Sequence, residues 1–184
     1  MDFLSWFRRS RSTAPATDEQ AARARANGGD AEAQFGLGLK YGTGRGPSLD
    51  FPQAAEWFRK AADQDHGLAQ YNLGMMLLQG QGVPRDDEEA YTWFRKSAEA
   101  GDVGAQYMLG MECHRSSLGQ VHKDSSEPRI EAYKWFHLAV AQGYKGSEAA
   151  RERVTLGMTG EEVTEGNHRA ATFVIRPTAS GVRS

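Results

Sequence analysis

The chain has 184 residues and a formal net charge of −2, with 22 Lys and Arg against 24 Asp and Glu. This length is enough for one domain with a sizeable core, and the near-neutral charge creates no broad field that would attract nucleic acid. The single cysteine, Cys113, cannot form an internal disulfide, so the fold must be stabilised by packing. We expect a cytoplasmic protein without a nucleic-acid partner.

Residues 1–16 form an N-terminal segment that is both amphipathic and basic. Phe3, Trp6 and Phe7 are followed by Arg8 and nearby arginines. The apolar stretch is too short for a signal peptide or a spanning helix, and we expect neither. The segment has enough apolar and basic side chains for weak contact with an anionic membrane surface. Docking onto the rest of the chain, or disorder, is the favoured interpretation.

A first helix is predicted over residues 17–28. Thr17 and Gln20 have the spacing of a capping box, in which residues at the first and fourth positions satisfy each other's backbone. The segment ends in Gly29-Asp30, which matches Gly101-Asp102 further along the chain. We therefore expect an N-terminal capping helix for a repeated array.

The chain then repeats itself. The pair Ala33-Gln34 recurs 36 residues later as Ala69-Gln70 and again 36 residues later as Ala105-Gln106. The aligned sets also include an aromatic residue, a leucine and a glycine: Phe35, Tyr71, Tyr107; Leu37, Leu73, Leu109; and Gly38, Gly74, Gly110. A fixed period in this range is typical of repeat architectures.

Each repeat is predicted to contain two helices. In the first helix, Ala69, Leu73 and Leu77 recur at four-residue steps beside Gly74, which permits close helix approach. The second helix has an apolar face formed by Ala90, Trp93, Phe94, Ser97 and Ala98.

The predicted second helices also have start and stop signals. They begin at capping pairs, Asp50 with Gln53 and Asp86 with Glu89, and Pro128 stands early in the third. Gly101 and Gly143 stand where a helix end favours a left-handed residue.

The glycines between the two helices of a repeat raise the question of a phosphate-binding loop. Gly80 and Gly82 follow a helix, whereas a phosphate loop follows a strand and opens a helix. Gly42, Gly44 and Gly46 have the same placement. We interpret all of them as turns between helices.

The third repeat contains six extra residues. They fall in the connection around Val121 and Asp124, and the neighbouring helical segments keep their internal spacing. Since insertions are best tolerated in exposed loops, we expect a longer loop there.

The C-terminal part predicts two further helices within residues 145–174. The first lies in Lys145–Gly157, and the second begins at Thr159, which has capping-box spacing to Glu162. Residues 175–184 are expected to form a flexible tail.

The recurring pattern resembles the Sel1-like repeat, a relative of the tetratricopeptide repeat. The residues that carry the resemblance are A-Q-Y-x-L-G, G-x-G-V-x-x-D and A-x-x-W-F-x-x-A-A-x-x-G. The resemblance implies an all-α fold, a right-handed α-solenoid with repeats at about 30–65, 66–101 and 102–143 between terminal capping helices. It also implies a concave groove lined by the first helices. The chain departs from the pattern at Asp65, at Pro47 and in the third turn.

Catalytic and metal-binding sites find little support in the sequence. Cys113, His114 and His122 supply three groups without the paired short spacings of a metal site, so core or loop roles are favoured. His66, His137 and His168 are scattered and have no nucleophile partner identified by spacing. Cysteine-rich relatives of the resembled family are linked to β-lactam binding or hydrolysis, but their cysteine pairs are missing here. We predict no catalytic residues, no cofactor and no bound metal.

A repeated face of the first helices is the stronger functional candidate. The aromatic positions Phe35, Tyr71 and Tyr107 either pack against their own second helix, the favoured alternative, or face a groove. The candidate partner-binding residues are Leu39, Lys40, Tyr71, Met75, Met76, Tyr107, Met108, Met111 and Glu112.

These observations predict a monomeric, non-catalytic scaffold that holds a protein or peptide. A hydrolase with a site at the third-repeat insertion, or a structural subunit of a larger complex, remain the alternatives.

Overall fold

The computed structural model describes residues 18–43, 49–119 and 126–176, and within these ranges it contains nine helices and no strand. The helices are α1 (Asp18–Asn27), α2 (Ala31–Thr43), α3 (Phe51–Ala62), α4 (Gly67–Gln79), α5 (Asp87–Glu99), α6 (Val103–Leu118), α7 (Ser126–Ala141), α8 (Ser147–Thr155) and α9 (Gly160–Ala171). In the described part of the chain, none of these helices is both long and apolar enough to cross a membrane.

The helices pack as consecutive pairs. The most extensive contacts join α2 to α3, α4 to α5, and α6 to α7, and each second helix then packs against the first helix of the next pair. Helix α1 lies against α2, while α8 and α9 both pack against α7. The prediction of an all-α solenoid is therefore confirmed.

One glycine in each first helix lets the second helix approach closely. A Cβ added to any of these glycines would lie 2.5–2.7 Å from a ring carbon of the facing phenylalanine. The three pairs are Gly38 with Phe58, Gly74 with Phe94, and Gly110 with Phe136. Since real Cβ atoms do not tolerate such distances, the repeated glycine sets the spacing within each pair.

The predicted core positions are buried. Trp57, Trp93 and Trp135 are 8%, 6% and 3% exposed, and Phe94 and Leu73 are fully buried. The core runs through the repeats as one large cluster that extends from α2 to α7. Replacing one of the tryptophans by alanine is expected to cost about 3–5 kcal/mol of unfolding free energy.

A repeated glutamine joins each repeat to the one before it. The side-chain Nε2 of Gln70 donates to the backbone oxygen of Ala62 at 3.2 Å, and Gln34 and Gln106 make the equivalent bond at 3.0 and 3.4 Å. The acceptor lies in the last turn of the preceding helix, where carbonyl groups have no partner within the helix. Each of these carbonyls also accepts from a backbone N–H of the following turn, so the buried amide adds a second hydrogen bond that ties the next first helix to this helix end.

The predicted helix starts are present where the structure describes them. Asp50 and Asp86 accept hydrogen bonds from the backbone N–H groups of Gln53 and Glu89 at 3.0 and 2.9 Å. Thr159 and Glu162 form the complete capping box. The pair predicted at Thr17 lies outside the described residues.

The glycines at the predicted helix ends have left-handed backbone, whereas Gly42, which was also interpreted as a turn residue, lies within the last turn of α2. Gly80 ends α4 with φ 65°, and Gly101 and Gly143 have φ 96° and 73°. Asp65 has a φ of 58° at the position equivalent to Gly101, so the departure in sequence keeps the same turn. This conformation is strained for a non-glycine residue, although aspartate tolerates it better than most.

The third-repeat insertion does not form a longer loop, so that prediction is wrong. Helix α6 ends at Leu118 and α7 begins at Ser126, each extended by three residues relative to the register of α4 and α5. The connection has the same number of residues as the one between α4 and α5. Ser116 stands where Gly80 ends α4, and without a left-handed glycine the helix continues.

The start of the predicted flexible tail also differs from the expectation. Ile175 lies over Gly101, and the backbone N–H of Arg176 donates to the backbone oxygen of Glu99 at 2.8 Å. These two residues therefore contact the array, because the chain turns back after α9.

Candidate partner-binding surface

The first helices present one face in register, and its positions are exposed or half-buried apart from Gly104, which is buried. On α2, α4 and α6 this face is formed by residues at successive steps of four, three and four, the spacing of one side of a helix. Its positions from the N-terminal to the C-terminal end are Glu32, Leu68, Gly104; Gly36, Asn72, Met108; Leu39, Met75, Met111; and Thr43, Gln79, Arg115. We call this set the first-helix face.

The centre of the first-helix face is apolar. Leu39 and Met111 are 37% and 38% exposed, and Met75 and Met108 are half-buried. All four were candidates from the sequence, and the structure brings them onto adjacent helices. Met76, by contrast, is 6% exposed and belongs to the core, so it is not part of an accessible surface.

The aromatic candidates Tyr71 and Tyr107 bridge helices instead of standing free. Their rings lie 5.8 and 5.6 Å from Phe94 and Phe136 of their own second helices. Tyr107 also packs on Tyr144 at 5.0 Å. The favoured prediction, packing against the second helix, is confirmed, although both tyrosines remain half-buried. Burial raises the pKa of the Tyr71 hydroxyl above its usual value.

The two charged candidates, Lys40 and Glu112, form ion pairs with neighbouring residues. Lys40 pairs with Glu19 of α1, and Arg115 Nε donates to Glu112 at 2.8 Å. Such surface pairs contribute little to stability. Because each charge has a local counter-charge, the apolar centre has no strong field of one sign beside it.

Sequence reasoning missed two members or neighbours of this face. Leu68 is 51% exposed one turn before Asn72, and Leu118 is 71% exposed at the extended end of α6. The signal for Leu68 was present, since it stands seven residues before Met75. Leu118 was not identified because the insertion was assigned to a loop.

A cavity of about 410 Å³ borders the N-terminal edge of the face, and its lining includes Glu32, His66 and Leu68. His66 is buried, and its Nδ1 accepts from the Ala69 backbone N–H at 3.2 Å, which caps α4. Its Nε2 lies 3.1 Å from Glu32 Oε2. Since Nδ1 accepts a hydrogen bond, Nε2 is the ring nitrogen that donates to Glu32. His66 therefore has a structural role as a cap.

A second cavity of about 350 Å³ lies at the C-terminal edge, between α5 and α6, and Tyr91, Arg95 and Glu112 are among its lining residues. Burial and the nearby Glu112 carboxylate raise the pKa of the Tyr91 hydroxyl. The cavity mixes acidic and basic groups that pair with each other, including Arg115 with Glu112. This edge can donate and accept hydrogen bonds at the rim of an apolar contact.

The residues considered for metal binding do not converge in the part of the chain that is described. No group of three His, Cys, Asp or Glu side chains there is placed to hold an ion. Cys113 packs against both major core clusters, in agreement with its predicted core role, and burial raises its thiol pKa to about 11. His122 lies outside the described residues.

The fold and this face define a class of protein, an all-α solenoid of paired helices with a preformed surface on its first helices. The model of the Sel1 repeat matches residues 31–66, 67–102 and 103–144, which is more than half of the chain. The chain belongs to the Sel1 repeat family. Members of this family generally mediate protein–protein interactions.

Two solved structures show the same fold. One is a protective antigen of uropathogenic Escherichia coli that displays an SLR (Sel1-like repeat) fold, with 32% identity and a TM-score of 0.70 over 90% of this chain. The chain spans 35% of the length of that antigen. The other is a Sel1 repeat protein from Oxalobacter formigenes, with 34% identity and a TM-score of 0.62 over 74% of this chain and 98% of its own. The comparison with curated proteins finds no match.

Proposed function

We propose that this chain is a non-catalytic interaction module that binds a partner protein or peptide across its first-helix face. The observation that carries the proposal is the alignment of Leu39, Met75 and Met111 on three adjacent helices at equivalent positions. Methionine is unbranched and polarizable, so such a surface adapts to the side chains of a partner.

The rigidity behind the face supports this function. Each first helix is held by a glycine–phenylalanine contact to its second helix and by a buried glutamine to the preceding repeat. A surface that is already ordered loses little conformational entropy when it binds. A modest apolar contact with a polar rim is then sufficient for useful affinity.

The hydrolase alternative rested on the third-repeat insertion. Its residues extend α6 and α7, and the Cys113 thiol beside it is packed into the core with a raised pKa. A thiol with a raised pKa is a poor nucleophile because the thiolate is the reactive form. The interaction module is therefore the function we propose.

Selection of ligands from a displayed random-peptide library tests this function. The wild-type chain is compared with the double variant Leu39→Glu/Met111→Glu, and the matched control is Leu49→Glu/Leu156→Glu, since Leu49 and Leu156 are exposed and lie outside the first helices. All four changes are at exposed positions, so thermal melts should show retained folding. We expect selected peptides to bind the wild type and the control but not the double variant.

The proposal is wrong if the selection enriches no peptide, or if the enriched peptides bind the double variant as tightly as the wild type. In either result the apolar centre of the first-helix face is not where ligands bind.

A further inference from the structure

The segment that follows α9 lies across the second helices of the array. The Phe173 ring packs edge-on against the Trp135 ring, with ring centroids 5.4 Å apart and an interplanar angle of 73°. Ile175 then lies over Gly101, and Arg176 reaches Glu99 at the end of α5. Four residues thus connect the middle of α7 to the end of α5.

The contacts alternate along this segment as they do in an extended peptide. Phe173 and Ile175 face the array, whereas Val174 between them is 80% exposed. Successive side chains of an extended chain point to opposite sides. One side of this segment therefore contacts the array and the other side faces solvent. The groove beneath it has Trp135 and Gly101 as its floor and Glu99 at its end, and we call it the second-helix groove.

The groove selects by chemistry as well as by shape. The Trp135 ring favours an aromatic partner in the edge-on geometry, in which the positive edge of one ring meets the negative face of the other. Glu99 offers two acceptors to the same residue, because its backbone oxygen accepts from Arg176 N–H and its carboxylate lies 2.9 Å from Arg176 Nη1. The groove therefore fits a four-residue pattern: an aromatic residue, any residue, an aliphatic residue and a basic residue.

Gly101 makes room for the aliphatic side chain of this segment. A Cβ at Gly101 would lie 3.2 Å from Cδ1 of Ile175, so the aliphatic side chain uses space that only glycine leaves open. The equivalent position in the preceding repeat is Asp65, which carries a side chain. The position at which Ile175 packs, after α5, therefore has no equivalent after α3.

The segment is held by few contacts. Ile175 is 54% exposed and the Arg176 side chain is 76% exposed, so Phe173 supplies most of the burial. Tethering gives such a segment an effective concentration of about millimolar, which compensates for weak intrinsic affinity. A ligand in solution with additional contacts can compete with it.

We propose that the second-helix groove is a binding site for an extended segment of a partner protein with an aromatic–x–aliphatic–basic pattern, and that Phe173–Arg176 occupies it as an internal, displaceable ligand. This site uses residues other than those of the first-helix face. The interaction module therefore has a second docking surface that is regulated by its own C-terminal segment.

The test uses the full chain and a labelled peptide with the sequence of residues 170–181. Fluorescence anisotropy measures its binding to the wild type and to Phe173→Ala/Ile175→Ala, in which the internal segment loses its anchors while Trp135, Gly101 and Glu99 are intact. We expect the variant to bind the peptide at least about tenfold more tightly, because the tethered competitor is removed. Val174→Ala is the matched control and should behave as the wild type.

A second variant keeps the test decisive if the double variant fails to fold. Ile175→Asp changes a side chain that is more than half exposed, and the new carboxylate is repelled by Glu99, so it should release the segment without loss of the core. A peptide that carries alanine at the positions of Phe173 and Ile175 should bind none of these proteins.

The proposal is overturned if a folded released variant binds the peptide no better than the wild type, or if the alanine-substituted peptide binds equally well. Sedimentation velocity supplies a further outcome. A wild-type dimer that disappears in Ile175→Asp would show that the segment belongs in the groove of a second copy, which would replace the foreign partner.

Discussion

The ring of Phe94 lies against Gly74 so closely that a methyl group at Gly74 would come within 2.7 Å of the ring atom Cε1. The same relationship occurs at Gly38 and Gly110. The glycine is therefore a packing residue in this fold, and its helical backbone needs no left-handed conformation. The contact sets how near the two helices of each repeat approach each other.

Replacing Gly74 by alanine should destabilise the chain in spite of alanine's higher helix propensity. The methyl group must displace the fully buried Phe94 ring, and overpacking of this kind costs about 1–3 kcal/mol. Urea unfolding followed by circular dichroism measures the change. Gly36→Ala is the control, since nothing lies within 4 Å of its Cβ position, and it should raise stability by about 0.4–1 kcal/mol. Equal effects of the two substitutions would contradict this explanation.

Gln106→Met should also lower the free energy of unfolding. The substitution keeps the length of the side chain but removes the donor to the Ala98 oxygen and the acceptor for Gln142 Nε2, which lies 2.9 Å away. The Ala98 oxygen still accepts from the Gly101 N–H and Gln142 is exposed, so the expected cost is that of a hydrogen bond, about 0.5–1.5 kcal/mol. The same change at Gln79, which is exposed at the end of α4, should stay within about 0.5 kcal/mol of the wild type. If Gln106→Met has the same free energy of unfolding as the wild type, the buried amide does not stabilise the junction between the repeats.

Cys113 should react slowly with thiol reagents in the folded chain. Burial raises its pKa to about 11, so only a small fraction is thiolate at pH 8, and the side chain is packed between two core clusters. Since the thiolate is the nucleophile, reaction with Ellman's reagent should be about 100-fold slower than in urea. The sequence has one cysteine, so the signal belongs to this residue. Comparable rates in the two conditions would show that the thiol is accessible.

Stability should fall as the pH is lowered from about 7 to 5, in part because of His114 and His137. Burial lowers the pKa of both imidazoles, and Arg153 and Arg151 lower them further. Each Nδ1 is buried without a hydrogen-bond partner among the described residues. The unfolded chain binds protons near the ordinary value of about 6.5, whereas the folded chain does so only at lower pH. Protonation therefore favours unfolding in this window.

Urea titrations of the wild type and of His114→Gln/His137→Gln at several pH values measure this dependence. The double variant should lose less stability over the same interval, because the glutamines do not titrate. Parallel loss in the two proteins would assign the pH dependence to other groups.

The surface candidates show where sequence reasoning reaches its limit. Met75 and Met76 are adjacent in a helix whose apolar residues extend around most of its circumference, so periodicity alone does not say which one faces the core. Packing decides it: Met76 is buried and Met75 is half-buried. Leu39 and Met111, which share the register of Met75, are exposed at 37% and 38%, and burial in the structure separates them from Met76.

The sequence by itself determined the repeat period, the paired helices and the caps at Asp50, Asp86 and Thr159. All of these depend on residues a few positions apart, or on the same pattern three times over, and such local relations are readable in one dimension. The lengthening of α6 and α7 also has a local cause, because Ser116 stands where a glycine ends α4. Only the tertiary structure decided that Phe173 returns to Trp135, because this contact depends on which distant surfaces meet and not on residues that are close together in the chain.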